Sequence, residues 1–362
     1  MHVLVVDTVH HPRDARISER QISALLAAGH EVTQAMPFTA FGATPLPGVA
    51  PIDLPSARGR HRLRAVRAAR KVLLRESPEH DVVILHSPEL LLAARGIQHP
   101  VMVWDVHEDT AAAVTMRTWV PGPLKPVARR GVAWAEARAE NRRRLLLAED
   151  AYAERFSSTH PVVPNTPRVP AEVRPSGRGR VVYVGSVTRA RGGDELIELG
   201  RRLAPDIVVE VMGEAHGDMA SRLSLAEQLG YVRWYGFVAN DEALQRLEGA
   251  TAGLSLLHDE ENYRHSMPTK ILEYLSRGVP AVVTPLPLAR DVIKNSGGGI
   301  VVGFGDVASI EAAVRHLNAD DSARQAMADS GRSWIRAHAD WNIDGPAFVA
   351  ILESWASGDG NA

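Results

Sequence analysis

Residues 259–285 read DEENYRHSMPTKILEYLSRGVPAVVTP, and the organisation of the chain is clearest here. A short apolar run of strand character precedes this stretch at 252–257, and a second one lies within it at 281–284. Pro268 suits the first turn of a helix, where its missing N–H costs nothing, and Gly278 and Pro280 stop the helix before the second run. The pattern predicts a strand, a loop, a helix and a second strand.

The start of this predicted helix has the chemistry of an anion site. Ser266 or Thr269 can cap its first amides, and those N–H groups together with the helix dipole favour negative charge. Lys270 and Glu273 lie three residues apart on one side of the helix. The cation can hold a phosphate while the carboxylate accepts hydrogen bonds from a sugar diol, which predicts a nucleoside diphosphate ligand. The alternative is an ordinary amphipathic helix whose Lys270 and Glu273 form a surface pair.

The same stretch resembles the donor-site signature of the retaining nucleotide-sugar glycosyltransferases of family 4, in the branch written Ser-x-Pro-x-Lys-x-x-Glu-Tyr and followed by Gly-x-Pro. The commoner form of that signature has two glutamates; here the second is Glu273, and the first position holds His265. The resemblance places His265 towards the sugar. It implies a donor site for nucleotide and diphosphate at Ser266, Met267, Pro268, Thr269, Lys270 and Glu273.

Length and composition predict a soluble protein of two domains. The chain has 362 residues, more than one core usually supports, with 45% hydrophobic and 23% charged residues. It has no cysteine, which excludes disulfides, thiolate metal sites and a cysteine nucleophile. No apolar run approaches ~18 residues, and Met1 leads directly into a strand-like run without the regions of a signal peptide. We therefore expect a cytoplasmic protein.

The first half of the chain is the basic one. Residues 1–170 carry 22 Lys and Arg against 17 Asp and Glu, so the remainder carries 19 against 26. A predicted helix at 60–75 places Arg60, Arg64, Arg67, Lys71 and Arg75 on one stripe, opposite Ala and Val side chains. This cationic face has two interpretations. It contacts an anionic partner, which is either the inner face of a membrane or an anionic acceptor, or it is a solvated outer face. Ala and Val suit core packing better than lipid insertion, which favours the solvated face.

Polar clusters follow the predicted strands of the first half, which we place at 3–6, 31–36, 49–54, 81–85 and 101–105. Predicted helices at 17–28, 60–75, 88–95 and 125–144 alternate with them. Ligands of open parallel sheets bind beyond the carboxyl ends of strands, so we expect the clusters to face a cleft. These polar residues are His10, His86, Asp105, His107 and Glu108.

Two further patterns are similar to the same family: Asp14-x-Arg16 before a helix, and the Asp-x-His-Glu cluster that begins at Asp105. The resemblance implies that His10, His86, Asp105, His107 and Glu108 lie on the acceptor and sugar side, with His107 in a catalytic role. The alternatives are that His107 closes a buried hydrogen-bond network and that His10 is a polar loop tip.

In the second half, strand-like residues 180–184 lead into a glycine-containing turn at 185–193. Further strand-like runs follow at 207–212 and 232–238, the second before a helix from Asn240. This turn has neither the Gly-x-Gly-x-x-Gly pattern nor the Walker Gly-Lys, which argues against nicotinamide and ATP. It resembles the family turn in which Val-Gly is followed by Lys-Gly, and Arg191 takes the place of the phosphate-binding lysine. Ser186 stands where the family usually has an arginine, and Arg189 is the candidate to compensate for that arginine. The resemblance implies a donor site that also includes Gly185 and Gly213, with Phe237 and Val238 at the nucleotide base.

The alternation of strands and helices occurs twice, which predicts two facing doubly wound, Rossmann-like α/β domains with a cleft between them. With the resemblance, this is the GT-B architecture. We predict an acceptor-side domain at 1–165, a Pro-rich linker at 166–179, a nucleotide-sugar domain at 180–340, and a C-terminal helix at 341–362 that returns to the first domain.

The function predicted from the residues and the resemblance is a retaining hexosyltransferase. It moves a hexose from a nucleoside diphosphate sugar to a hydroxyl of a glycan, lipid or small metabolite, with Arg191, Lys270 and His107 as catalytic residues. No suitable Asp-x-Asp motif is present, so we expect neither a metal nor a cofactor besides the donor, and no nucleic acid partner. The alternatives are a nucleotide-sugar epimerase of related fold and a non-catalytic sugar-nucleotide-binding protein.

Overall fold

A computed structural model describes residues 1–57, 61–107, 125–264 and 267–358, with the backbone alone at 125–129 and 262. The predicted positions Arg60, Glu108, His265 and Ser266 therefore lie outside the described residues. The chain forms two compact units, the first from Met1–Asn165 with Ile343–Ala362 and the second from Thr166–Asn342. Within the described ranges, no helix combines the length and the apolar content needed to cross a membrane.

The first unit contains one parallel sheet with the strand order β3-β2-β1-β4-β5-β6. Its strands are β1 (His2–Val6), β2 (Glu31–Met36), β3 (Val49–Asp53), β4 (Val82–Leu85), β5 (Met102–Val106) and β6 (Arg144–Leu147). Its helices are α1 (Ser23–Ala27), which continues a π-helical segment at Ala15–Ile22, α2 (Phe38–Phe41), α3 (Arg62–Glu76), α4 (Glu89–Ala93) and α5 (Lys125–Glu140).

The second unit contains a parallel sheet with the order β12-β11-β10-β7-β8-β9. Its strands are β7 (Arg180–Val184), β8 (Val208–Met212), β9 (Val232–Trp234), β10 (Ala252–Ser255), β11 (Ala281–Val283) and β12 (Gly299–Val301). Its helices are α6 (Gly193–Leu203), α7 (Asp218–Gln228), α8 (Asn240–Leu247), α9 (Glu261–Arg264), α10 (Thr269–Ser276), α11 (Pro287–Ser296), α12 (Val307–Ala319) and α13 (Asp321–His338), before α14 (Trp341–Ser357) enters the first unit.

The two sheets have the same topology. Counted within each unit, both follow the order 3-2-1-4-5-6 of a doubly wound fold, which confirms the predicted fold class. In such a sheet the chain reverses its direction of travel between the first and fourth strands, and ligands bind beyond the carboxyl ends of the strands at that point. These points lie between β1 and β4 in the first unit and between β7 and β10 in the second.

Three elements differ from expectation. The helix expected at 17–28 is π-helical over Ala15–Ile22, after Asp14 accepts hydrogen bonds from the amides of Arg16 and Ile17. The strand expected at 232–238 ends at Trp234, because Gly236 has a positive φ that an extended strand does not permit. Thr269 does not cap α10: it is the first helical residue, and the preceding Pro268 has no side chain that can accept a hydrogen bond.

One buried side chain connects α10 to the middle of the second sheet. The Tyr274 hydroxyl donates to the carbonyl of Leu254 on β10 at 3.0 Å and accepts from the amide of Val184 on β7 at 3.0 Å. The Tyr274 ring is fully buried and covers Gly253, where an added Cβ would lie 2.3 Å from the ring carbon Cγ. The position of α10 over β7 and β10 therefore depends on a tyrosine that fits against a glycine.

We expect Gly253→Ala to destabilise the second unit by about 1–3 kcal/mol, because the added methyl group must displace the buried Tyr274 ring. Gly131→Ala is the matched control: a Cβ there meets nothing within 4 Å, and alanine in a helix is favoured by about 0.5–1 kcal/mol over glycine. Urea unfolding measures both. A Gly253→Ala protein as stable as the wild type would contradict this packing.

Candidate functional site

Glycines line the carboxyl edge of the second sheet. The Gly185 amide donates to the carbonyl of Met212 at 2.9 Å, and the Gly213 amide donates to the carbonyl of Gly236 at 2.7 Å. An added Cβ at Gly213 would lie 1.9 Å from the Gly185 oxygen, so only glycine permits this approach. The loops after β7, β8 and β9 thus meet backbone to backbone, with no side chain from these three positions between them.

Lys270 lies in the first turn of α10, at the reversal point between β7 and β10. Its Nζ is 3.8 Å from the centroid of the Tyr183 ring, and an added Cβ at Gly185 would lie 3.4 Å from the same Nζ. Nζ is buried and has no hydrogen-bond partner in the part of the chain that the structure describes. A buried amine without a hydrogen-bond acceptor is costly, so this position is explained better by a ligand than by stability.

The charges around Lys270 make its own charge unfavourable. Burial lowers the pKa of Lys270 well below its usual value, and the positive charge of Arg191 lowers it further, whereas Glu273 acts in the opposite direction. Arg191 packs over the Tyr263 ring, with 5.7 Å from the guanidinium carbon to the ring centroid, and it forms no ion pair with the described carboxylates. These two neighbouring cations have no carboxylate partners, so a bound anion would stabilise the charges of both.

Glu273 lies one turn after Lys270 and is also buried, with 5% of its surface exposed against 8% for Lys270. Its Oε1 accepts a hydrogen bond from Nδ2 of Asn240 at 3.1 Å. The alternative of a surface Lys–Glu pair is therefore wrong, because neither side chain is at the surface. A carboxylate held by an amide beside two cations can accept hydrogen bonds from hydroxyl groups.

The other predicted donor-side residues vary in their surroundings. Ser186 is exposed, and its carbonyl accepts a hydrogen bond from the Tyr183 hydroxyl at 2.8 Å. Arg189 is exposed and pairs with Asp218 at 2.7 Å and with Asp194 at 3.7 Å, so its charge is already partly balanced. Met267 and Val238 are half-buried, Pro268 is buried, and Phe237 is exposed after β9.

In the first unit, the buried Asp105 on β5 is the centre of a hydrogen-bond network. Arg16 donates to both of its oxygens, from Nε at 2.8 Å and from Nη2 at 2.6 Å, and also to the carbonyl of Val163 at 2.9 Å. Nδ1 of His86 is 3.1 Å from Asp105 Oδ2, and Nδ1 of His107 is 3.2 Å from the same oxygen. The sequence predicts that His86, Asp105 and His107 face one cleft, and the structure brings these three residues together.

The histidine rings extend this network towards β1. The His10 and His107 ring centroids are 5.0 Å apart, and those of His86 and His107 are 5.6 Å apart. Asp7 Oδ2 accepts from the His10 amide at 2.6 Å and lies 3.1 Å from Nδ1 of the same residue. His10 is therefore held by Asp7 rather than free at a loop tip. Because Nδ1 of the half-buried His107 faces Asp105, Nε2 is the ring nitrogen left for a ligand.

Burial and neighbouring charges have opposite effects on the pKa values of Asp105 and His86. Burial by itself would raise the pKa of Asp105, but the charge and hydrogen bonds of Arg16, with hydrogen bonds from both histidines, hold that pKa well below its usual value. Burial lowers the pKa of His86, against the influence of Asp105. His86 is thus neutral at pH 7, and its buried Nε2 has no partner among the described residues.

His86, Asp105 and His107 also have the spacing of metal ligands: one ligand atom of each lies within 4.8 Å of the others. However, Arg16 already donates to both Asp105 oxygens and balances the carboxylate charge. A metal cation at this carboxylate would be repelled by the positive charge of Arg16. The observed donors therefore favour a hydrogen-bond network at this position over a metal site.

Sequence reasoning did not assign Arg16, Asp7 or Tyr183 to the site. A signal for Arg16 was available, because Asp105 stands in the otherwise apolar run at 101–106, and a buried carboxylate requires a donor. No comparable signal existed for Tyr183, since an aromatic residue in a buried strand is common. Its role as a cover for Lys270 follows only from the packing of α10.

Comparison with known proteins agrees with this geometry. Residues 168–334 match the family model described as glycosyl transferases group 1. No curated protein sequence matches the chain. Among solved structures, sucrose-phosphate synthase from Thermosynechococcus elongatus superposes with a TM-score of 0.72 at 15% identity, covering 99% of both chains. HepE from Anabaena, in complex with UDP and glucose, gives 0.71 at 13% identity, covering 98% of this chain and 100% of that one.

The fold of the chain is that of GT-B glycosyltransferase structures, and the family match lies within its second unit. A glycosyltransferase from Rickettsia africae has the same fold, with a TM-score of 0.65 at 11% identity over 100% of this chain and 99% of that one. Identities this low establish the fold alone and leave the activity, the donor and the acceptor to be argued from the residues of this protein. The matched residues 168–334 include the glycine edge, Arg191, Lys270 and Glu273.

We expect Lys270→Met to raise the unfolding temperature while it weakens binding of nucleoside diphosphate. Burial lowers the pKa of Lys270 in the folded protein, whereas the unfolded chain binds the proton with the usual pKa of 10.5. Below pH 10.5 the lysine therefore lowers the free energy of unfolding. The gain should be present at pH 7 and shrink as pH rises towards 10.5. Lys294→Met, at an exposed position, is the control, and calorimetry is the measurement. A lower unfolding temperature would show that Lys270 is structural.

The neutral His86 predicts a loss of stability on acidification. Its folded pKa lies below the ordinary 6.5, so the unfolded state takes up the proton first, and the free energy of unfolding falls as pH drops below 6.5. His86→Asn keeps a donor near Asp105 and should flatten this slope below pH 6.5. His216→Asn, at an exposed position, is the control variant. Equal slopes in wild type and His86→Asn would contradict the assignment.

Proposed function

We propose that this protein is a retaining, metal-independent glycosyltransferase that moves a hexose from a nucleoside diphosphate sugar to a hydroxyl acceptor. The observation that supports this most is the buried Lys270 amine, without a hydrogen-bond acceptor among the described residues, beside Arg191 and the first turn of α10. Two cations and the N-terminus of a helix together suit a diphosphate. The group 1 match of this unit supports glycosyl transfer as its use.

Each donor-side residue has a role in this proposal. Arg191 and Lys270 hold the diphosphate, and Glu273 binds the ribose hydroxyls one turn away. The loop after β9, with Phe237 and Val238, holds the base largely through its backbone. HepE, whose structures contain UDP and UDP-glucose, has the same fold, which makes UDP the first nucleotide to test.

In the proposed reaction, the bond between the anomeric carbon and the diphosphate oxygen breaks, and the acceptor oxygen attacks the same face of the sugar. The departing diphosphate oxygen takes the acceptor proton, so no separate nucleophile or general base is required. Negative charge accumulates on the diphosphate as the bond breaks, and Arg191 and Lys270 stabilise it more in the transition state than in the ground state. Losing either one should cost on the order of 10²–10³ in rate.

The network in the first unit supplies the sugar and acceptor side of the proposal. Asp105 orients His107 through Nδ1, and Arg16 keeps Asp105 ionised, so that Nε2 of His107 is available to a sugar hydroxyl. His10 and His86 pack beside the same ring. In this arrangement Arg16 and Asp105 act as positioning residues, and His107 is the one that contacts substrate.

The test is an assay of nucleoside diphosphate release from UDP, GDP and dTDP sugars, with and without hydroxyl acceptors, after donors have been ranked by thermal shift. We expect release that requires an acceptor, a product with the anomeric configuration of the donor by NMR, and no effect of EDTA. Arg191→Ala should lose 10²–10³ in rate, whereas the already paired Arg189→Ala should lose much less. Sugar interconversion without an acceptor would indicate an epimerase, and binding without turnover a non-catalytic protein.

We expect His107→Ala to lower transfer sharply and leave binding of the bare nucleoside diphosphate nearly unchanged, because its side chain belongs to the Asp105 network and not to the diphosphate site. Calorimetric titration of UDP and the transfer assay measure the two effects separately. His107→Gln, which retains a polar atom near Nε2, should recover part of the rate. Equal losses of binding and of transfer in His107→Ala would show that this histidine is structural.

A further inference from the structure

Three helices of the first unit form one outer layer. α3, α4 and α5 are the crossovers that follow β3, β4 and β5, and right-handed crossovers place them on the same face of the sheet. Arg70 of α3 donates to the carbonyls of Ala93 and Arg95 at 2.9 and 2.7 Å. Arg143 donates to the carbonyls of Ala94 and Ile97 at 2.9 and 3.2 Å, from just beyond α5. α3 and the segment just beyond α5 are thus both fixed to the end of α4.

This layer exposes large apolar side chains to water. Leu63 and Leu74 of α3 are 70% and 54% exposed, Leu92 of α4 is 68% exposed, and Trp134 of α5 is 66% exposed. In the described part of the first unit, the one other large hydrophobic residue exposed to this degree is Ile343. Exposed apolar groups that collect on one face indicate a contact with a partner or a membrane.

Basic residues lie on the same helices as these apolar groups. Three carboxylates of the same helices are occupied, since Glu136 pairs with Arg155, Glu140 accepts from Ser157 and Ser158, and Glu76 pairs with Arg75, whereas Glu89 of α4 forms no ion pair with the described residues. The guanidinium of Arg138 lies over the Trp134 ring, 5.6 Å from its centroid. The basic side chains of the layer that have no carboxylate partner among the described residues include Arg64, Arg67, Lys71, Arg95, Arg138 and Arg142.

A cavity of about 110 Å³ lies between α4 and α5, lined mainly by Leu91, Leu92 and Trp134, with Arg95 and Arg142 at its rim. Sites for whole small molecules measure about 300–1,000 Å³, so the cavity is too small for one. It can instead receive part of a chain whose remainder lies outside. Apolar side chains and arginines line this cavity together, which fits a bilayer surface with anionic headgroups outside and apolar chains beneath them.

We propose that this α3–α5 layer docks the protein on an anionic lipid bilayer. The arginines and Lys71 contact headgroup phosphates, and Trp134, Leu92, Leu63 and Leu74 enter the interface between headgroups and acyl chains. The apolar stripe of α3, with Ala65, Ala69 and Val72, is buried in the core, so docking depends on individual side chains and not on an inserted helix. Charge complementarity favours an anionic surface, and the exposed leucines distinguish a bilayer from a purely polar polyanion.

The experiment is flotation of the full chain with vesicles of phosphatidylcholine alone or with about one third phosphatidylglycerol. We expect binding to the anionic vesicles only, and a loss at high salt because exposed charges are screened. Arg138→Glu with Arg142→Glu should lower partitioning on the order of 30-fold or more, at about fivefold for each lost cation. Leu92→Ala with Trp134→Ala should lower it at least about tenfold. Brominated lipids should quench Trp134, and Trp134→Phe should bind while losing that quenching.

Matched double variants at exposed positions of the second unit provide the controls: Arg290→Glu with Lys294→Glu for charge, and Leu225→Ala with Leu229→Ala for apolar surface. They should bind as the wild type does, and circular dichroism confirms that every variant is folded. No binding to anionic vesicles, or equal losses in the controls, would overturn the proposal. Binding that heparin abolishes and that the apolar variants do not weaken would instead indicate a polyanion such as nucleic acid. None of these results depends on the transferase assay.

Discussion

The site in the second unit depends on the double hydrogen bond of the Tyr274 hydroxyl. This one atom joins β7 and β10, the two strands at the reversal point of the sheet, and it belongs to the helix that carries Lys270 and Glu273. Gly253 provides the room for the ring, and the glycines after β7 and β8 allow their loops to meet. Because these constraints are steric, the cation and the carboxylate have little freedom to leave the edge of the sheet.

The two units use one topology for opposite electrostatic purposes. On β5, next to the reversal point of the first unit, Asp105 receives hydrogen bonds from Arg16, His86 and His107, so that its charge is compensated within the protein. At the equivalent point of the second unit, Lys270 and Arg191 have no carboxylate partner among the described residues, and each raises the cost of the other's charge. A compensated network suits the orientation of a neutral sugar, whereas uncompensated cations suit a substrate that carries negative charge.

Several polar atoms in these sites carry a cost that the fold itself does not require. Lys270 Nζ, His86 Nε2 and Asp7 Oδ1 are buried without hydrogen-bond partners in the described ranges. Atoms of this kind are rare in proteins, because on burial they lose hydrogen bonds to water that nothing replaces. All three lie beside the reversal points where ligands of doubly wound sheets bind, and their energetic cost is therefore more easily understood as a functional requirement than as a packing defect.

The sequence by itself determined the alternation of strands and helices, and with it the doubly wound sheets, because period, glycine and proline positions are local properties of the chain. It also placed Lys270, Glu273 and Arg191 near the ends of strands, where the carboxyl edge of a parallel sheet collects them. It could not predict that Lys270 is turned onto the Tyr183 ring, that Arg16 reaches Asp105 across 89 positions of the chain, or that Gly236 ends β9 at Trp234. Only the tertiary structure decided these points, since each depends on which side chains share a buried volume and must satisfy one another's charges and hydrogen bonds.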